Sequence, residues 1–367
     1  MAIFFAALHP DAMPSAAKHP TSRVLKSGAW DECVDAVLLR KHDWRKAADI
    51  ARSHTHTLRR LFEDKDLAVD AVLCLDRRPT LCVLDARGRD DADVERVRRR
   101  LWNLGATTLL LAETATDVRL YSTLAKPARQ DPRGEGAQLA AETIAVLQTA
   151  ALAQQLTQII RRVETGAVYR EYTPRFDPAQ AVDRELLDNL KAARDVLCPR
   201  GTPAELQHAH QIIGRFLFSC YLLDRGIVGP PYLTAKNLPP ATDMQGLLQN
   251  AAPSPAKVLE QLFTALHRDF NGSLFGEPFA PGSLRDEDAN ILHRLIAGEN
   301  IRGHQPVLPG FKLYDFSYVP VELISSIYEE FLGAEATAAA RPAGRNQPRA
   351  TPSAPAVPIT RRRVSRN

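Results

Sequence analysis

The hydrophobic period changes near residue 66 and changes back near residue 124, and this switch limits the folds open to the chain more than any other feature. "LAVDAVLCLD" and "PTLCVLDA" are short runs rich in Val and Leu, separated by Arg77 and Arg78, and they predict a hairpin or two closely placed strands. "DDADVERVRRRLWNLG" follows with an acidic first turn, an Arg-rich end and a Gly stop, the pattern of a helix that complements its own dipole. "ATTLLLAET" and "TDVRLYSTL" predict two more strands. Residues 66–124 therefore read as strand, strand, helix, strand, strand, a small α/β module.

Outside this module the period is helical. "ECVDAVLLRKHDWRKAADIARSHTHTLRRLFEDKD" spaces its apolar residues by three and four with no Gly or Pro, which predicts helix from Ala29 to Lys65. "GEGAQLAAETIAVLQTAALAQQLTQIIRRVETG" predicts one long helix, and "DRELLDNLKAARDVLC" and "TPAELQHAHQIIGRFLFSCYLLDRGIV" predict two more, the last with Pro at its first helical position. The expected order is an N-terminal extension (1–28), the α/β module with leading helices (29–130), an all-helical connector (135–333) and a tail (334–367). The tail is rich in Ala, Pro and Arg and almost devoid of large apolar side chains, so it is predicted to be disordered. It also carries seven Arg against one Glu, so the formal net charge of +4 leaves the chain before it at about −2.

Gln and Thr break the longest apolar run, "AVLQTAALAQQLTQII", short of the roughly 18 apolar residues a membrane helix needs, so no membrane partner is expected. The opening stretch "MAIFFAALHPDAMPSAAKHP" lacks the basic region of a secretory signal, and a cytoplasmic protein is the expectation. Five cysteines, odd in number and without a C-x-x-C pair, predict reduced core residues in place of disulfides or a zinc site.

Asp70 and Asp85 fall on adjacent predicted strands, and a nuclease would use two such carboxylates to hold Mg²⁺, with a Lys two residues after the second to position the attacking water. Here Arg87 occupies the Lys position, and its planar, permanently charged fork is a poor replacement for a compact ammonium. Asp70, Asp85 and Arg87 are thus degenerate catalytic candidates, Asp70 and Asp85 also metal candidates, and Glu63 a distant third carboxylate. The competing reading is a polar strand position and a strand end. Arg96, Arg99 and Arg100 are candidates for DNA-backbone contact, although the adjacent run Arg98, Arg99 and Arg100 spreads over about 200° of the helix and cannot all face one groove. His208 and His210, two apart on a helix, point about 200° from each other and predict core or boundary roles in place of metal ligation. The chain contains no G-x-S-x-G, no H-E-x-x-H and no phosphate-cradling Gly loop after a strand.

Taken together and in order, "AVLCLDRRPTLCVLDA", "RRRLWNLGATTLLLAETATDVRLYS", "HQIIGRFLFSCYLLDRGIV", "LFTALHRDFNGSLF" and "LYDFSYVPVELISSIYEEFLG" resemble the N-terminal region of bacterial adenine-specific DNA methyltransferases and type IIG restriction-modification proteins. The resemblance covers most of residues 60–333. It implies a degenerate restriction-endonuclease-like module, a helical connector and a helix leading toward a methyltransferase domain, with DNA as partner and S-adenosylmethionine as the family's cofactor. The N-P-P-Y tetrapeptide and the cofactor loop of that family do not occur in this sequence, so the expectation is a chain that lacks methyl transfer by itself and was cut short before the catalytic domain, or that docks a separate methyltransferase chain.

Overall fold

The computed structural model describes residues 22–32, 36–127, 142–270, 279–280, 282–299, 301–302 and 312–339. Six strands stack in chain order into one mixed sheet: β1 (Ala36–Arg40), β2 (Ala71–Leu75), β3 (Arg78–Asp85), β4 (Leu109–Glu113), β5 (Asp117–Ser122) and β6 (Thr143–Gln148). Neighbours are antiparallel except β3 and β4, which run parallel with Leu81 opposite Leu109. Helices α1 (Arg23–Lys26), α2 (Ala48–Ser53) and α3 (Thr55–Glu63) precede β2, and α4 (Asp91–Leu104) is the crossover that the parallel pair requires. Asp90 caps α4 by accepting from the Asp93 N–H at 2.7 Å, and Gly105 closes it at φ +62°.

The central strands are apolar on both faces because both faces are covered. Val72, Cys74, Cys82, Leu84, Leu110 and Ala112 pack with Leu58, Leu61 and Phe62 of α3 and with Val94, Val97 and Leu101 of α4. The alternate residues Leu73, Leu81, Val83, Leu109, Leu111 and Leu120 meet Leu156, Ile159, Ile160 and Val163 of α5 (Leu152–Glu164) on the other face. Burial pushes the thiols of Cys74 and Cys82 up to about 12, so both are protonated core groups. Cys198 and Cys220 are also buried free thiols, and Cys33 lies outside the described residues.

Two of the predicted helices contain edge strands instead. Residues 36–40 form β1 within the stretch expected to be helical from 29 to 65, and residues 143–148 form β6 where one long helix was expected. The sheet thus extends past residue 130 into the stretch assigned to the helical connector. Each strand is half-exposed, with Val37 at 45% and Val146 at 47% accessibility, so neither has the two-sided apolar run that marks the central strands. The arginines of α4 occupy its middle turns, and its last turn carries no basic residue.

Beyond α6 (Ala167–Glu171) the chain is helical: α7 (Val182–Leu197), α8 (Pro203–Asp224), α9 (Pro230–Ala235), α10 (Met244–Gln249), α11 (Pro255–Phe270), α12 (Asp286–Ile296) and α13 (Val321–Ala339). α8 is the centre of this region. Thr202 opens it by accepting from the Glu205 N–H at 3.2 Å, and it buries Ile212, Ile213, Phe216, Leu217, Cys220 and Leu223. No helix is long and apolar enough to cross a membrane among the described residues. α13 continues through Gly333 to Ala339, so the start of the stretch assigned to the tail is helical. Residues 340–367 and 1–21 lie outside the described residues.

Candidate functional site

The antiparallel hairpin of β2 and β3 brings Asp70 and Asp85 together. The Asp70 N–H donates to the Val83 carbonyl at 2.9 Å, and Asp70 Oδ2 accepts from the Asp85 N–H at 2.7 Å. Arg87 folds back on Asp85 with both arms of its fork, Nε to Oδ1 at 2.9 Å and Nη2 to Oδ2 at 2.5 Å. Its Nε also lies 3.8 Å from Oε1 of Glu113, at the end of β4. Glu113 has no solvent exposure and accepts from the Ser22 hydroxyl, the Arg23 N–H at 3.1 Å, Arg23 Nε at 2.9 Å and the Val24 N–H at 3.2 Å.

These partners set the charge states. Burial raises the Asp70 pKa, the Asp85 N–H opposes that, and the Asp85 charge adds to it. Burial also penalises Glu113, but its bonds from Ser22, Arg23 and Val24 together outweigh that cost and hold it below the usual carboxylate range. The side-chain bond to Asp85 raises the Arg87 pKa further. The result is a closed ion-pair cluster in which a guanidinium spans the oxygens of Asp85 that a metal would need. Glu63 points elsewhere and pairs with Arg45 and, at 3.8 Å, Arg59. Among the described residues no group of three or more His, Cys, Asp or Glu is placed to hold a metal ion.

The arginines of α4 separate as helix geometry requires. Arg96 is exposed and pairs with Asp93, whereas Arg98 is fully buried against Glu95 at 2.7 Å. Arg99 is half-buried. Arg100 donates to the Asp66 carbonyl at 2.8 Å and lies 5.6 Å from the Tyr318 ring centre. Of the three backbone candidates, Arg96 is the one that is exposed, and it is held by its ion pair with Asp93. His208 sets its ring edge-on to Phe279 and His210 to Phe331, so the two histidines serve separate packing contacts.

A second constellation was not singled out from sequence as a contact. The Asn103 amide donates to the Leu313 carbonyl at 3.0 Å and accepts from the Asp315 N–H at 2.9 Å, holding a chain segment 210 residues away as a strand partner would. Trp102 stacks on Tyr314 with ring centres 6.0 Å apart and donates to the Gln180 carbonyl at 2.9 Å. From the other side Asp224 accepts from the Phe316 N–H at 2.8 Å, and Arg225 donates to the carbonyls of Phe316 and Val319. Arg60 reaches the Ser317 carbonyl. Residues 312–319 are therefore a strap clamped between α4 of the sheet region and the end of α8. Gly298, at φ +65°, lets this strap approach, since a Cβ there would collide with Leu313. The available signal was one polar residue in the apolar last turn of each helix, Asn103 in "LWNL" and Asp224 after "CYLL".

No family model, curated protein or solved structure matches this chain.

Proposed function

We propose that this chain is the scaffold part of an adenine-specific DNA methyltransferase or restriction-modification system, contributing DNA-backbone contact without a methyl-transfer site among the residues of this sequence. The observation that carries the reading is the strap. The segments on which the resemblance rests, "RRRLWNLG" and "LYDFSYVPVEL", are far apart in sequence, yet Trp102 and Asn103 of one grip Leu313, Tyr314 and Asp315 of the other. A module so clamped to the helix that follows it would hold α13 in a defined direction for a methyltransferase domain or chain. In that setting S-adenosylmethionine belongs to the catalytic partner. The sheet region acts as a degenerate restriction-endonuclease-like module, with Asp70 and Asp85 paired on one hairpin and Arg87 bound to Asp85 in place of Mg²⁺.

Duplex DNA binding by the purified chain at low salt tests this reading. Measurable binding that weakens steeply as salt rises is expected, and no binding at low salt overturns it. The rival reading, a Mg²⁺-dependent nuclease using Asp70 and Asp85, has the juxtaposition of the two carboxylates in its favour. Incubation with supercoiled plasmid and Mg²⁺ separates the two: no nicking is expected, and nicking that Asp70→Ala and Asp85→Ala both abolish would establish the nuclease. A purely helical docking protein would offer residues 314–333 to a partner. Against that stands the burial of Tyr314, Phe316, Val319, Ile327 and Phe331 within this chain.

A further inference from the structure

α13 buries Ile327 and Phe331 in the helical core and presents another side as the wall of a groove against α8. From α8 come Phe218 and Tyr221, half-buried and stacked with ring centres 6.3 Å apart. From α13 come Val321, Ile324 and Tyr328, with Val321 exposed. Gly214 allows the two helices to meet, since a Cβ there would lie 2.5 Å from the Tyr328 hydroxyl. The groove holds about 220 Å³, less than the roughly 300–1,000 Å³ of small-molecule sites, so it is sized for a few side chains of a peptide.

None of the residues that line the groove is charged. The Tyr328 hydroxyl has no hydrogen-bond partner among the described residues. Beside the groove, Glu322 and Glu329 are exposed, seven positions and so about 10 Å apart along α13, and neither enters an ion pair with a described residue. The Arg225 guanidinium, 4.8 Å from the Tyr221 ring centre, offsets one of these two carboxylates and leaves the other uncompensated. α13 itself carries Glu and no Lys or Arg.

The same chain supplies a segment of matching chemistry. In "TPSAPAVPITRRR", residues 351–363, Pro352, Pro355 and Pro358 recur at every third position, which is the period of a polyproline II helix and sets the three rings along one edge. Val357 and Ile359 flank the last proline, Arg361, Arg362 and Arg363 follow, and residues 340–367 include no acidic residue. Aromatic-lined grooves take such segments because the backbone arrives preformed and little entropy is lost on docking. A polyproline II backbone has no internal hydrogen bonds, so its carbonyls are open to a donor such as the Tyr328 hydroxyl. The reach is sufficient: Tyr328 lies about 16 Å along the axis from Ala339 at the end of α13, and residues 340–351 span about 37 Å when extended at the polyproline II rise.

We infer that residues 352–359 dock in the groove between α8 and α13 of their own chain as a polyproline II segment. Pro355 and Pro358 pack on Phe218, Tyr221 and Tyr328, and the arginines that follow lie beside Glu322. Two prolines three residues apart are separated by about 9 Å on such a helix, which matches the roughly 10 Å between Val321 and Tyr328 on α13. This inference does not depend on the DNA reading.

Photo-cross-linking of the full chain, mapped by mass spectrometry, tests it. The photo-reactive p-benzoylphenylalanine replaces Ser325, which is exposed on the groove wall, or in a control Ser326, which is exposed and does not line the groove. Cross-links within one chain from position 325 to residues 350–360 are expected, at least fivefold more abundant than from position 326. Pro355→Ala with Pro358→Ala should lower their yield at least fivefold, while Pro348→Ala, which lies off the three-residue register, should leave it unchanged. An added peptide of residues 350–363 should compete, and a scrambled peptide of the same composition should not. Cross-links between two chains, cross-links only to other segments, or none at all overturn the inference. Equal competition by the scrambled peptide also overturns it, because the contact would then be no more than attraction of arginines to an acidic helix.

Discussion

At the scale of single residues the sheet edge is an electrostatic arrangement in which carboxylates and guanidinium groups answer one another. Glu113 is the keystone, since a fully buried carboxylate with four donors leaves those donors stranded if it is neutralised. Glu113→Gln should cost about 2–4 kcal/mol at neutral pH. Its folded pKa lies below the ordinary Glu value, so this stability is present above about 4.5 and is lost as pH falls through the lower folded value. Urea unfolding of wild type and variant should therefore show a gap at pH 7 that narrows below pH 4, and a constant gap would refute the assignment. The spacing of Asp70 and Asp85 was enough to put them side by side, because residues flanking a hairpin face each other. The approach of Arg87 to Glu113 was not legible, because Glu113 is brought to it by the neighbouring strand β4 and reads in sequence only as a strand end.

At the scale of elements the strap decides how the sheet region and the helical region are joined. Asn103→Ala removes a donor and an acceptor at once and should cost about 1–3 kcal/mol in denaturant unfolding. It should also raise the exchange rate of the Asp315 amide, which a purely local packing defect in α4 would leave protected. Asp224 is the opposite anchor. Burial pushes its carboxyl up to about 6 against the pull of Lys312, whose ammonium lies 2.6 Å away. A folded pKa above the unfolded value near 3.8 means that stability from this group is full below about 3.8 and lost as pH rises through about 6. Relative to Asp224→Asn, the wild type should therefore gain stability, up to about 3 kcal/mol, as pH falls from 7 to 4. A difference that is flat with pH would show that Asp224 titrates normally. The central strands and most helices were legible because two-sided apolar runs and three-four spacing are unambiguous. The edge strands β1 and β6 were not, because a half-exposed strand preceding an amphipathic helix carries no period of its own.

At the scale of the whole molecule, a mixed six-stranded sheet and a helical bundle share one seam, and that seam is built from residues at the two ends of a long stretch of chain. Composition and period indicated both parts in sequence. Their joining was not visible there, because contacts such as Trp102 with Tyr314 follow from tertiary placement and leave no local pattern. The seam also ties completion of the fold to the order of synthesis. Trp102 and Asn103 leave the ribosome long before the segment that covers them, and at about 5–20 residues per second the intervening 210 residues take roughly 10–40 s. Throughout that interval the Trp102 ring and the Asn103 amide lack the strap that covers them in the folded chain. A chaperone that shields α4 until the strap has been made should therefore raise the yield of soluble chain more than one that acts on the finished protein.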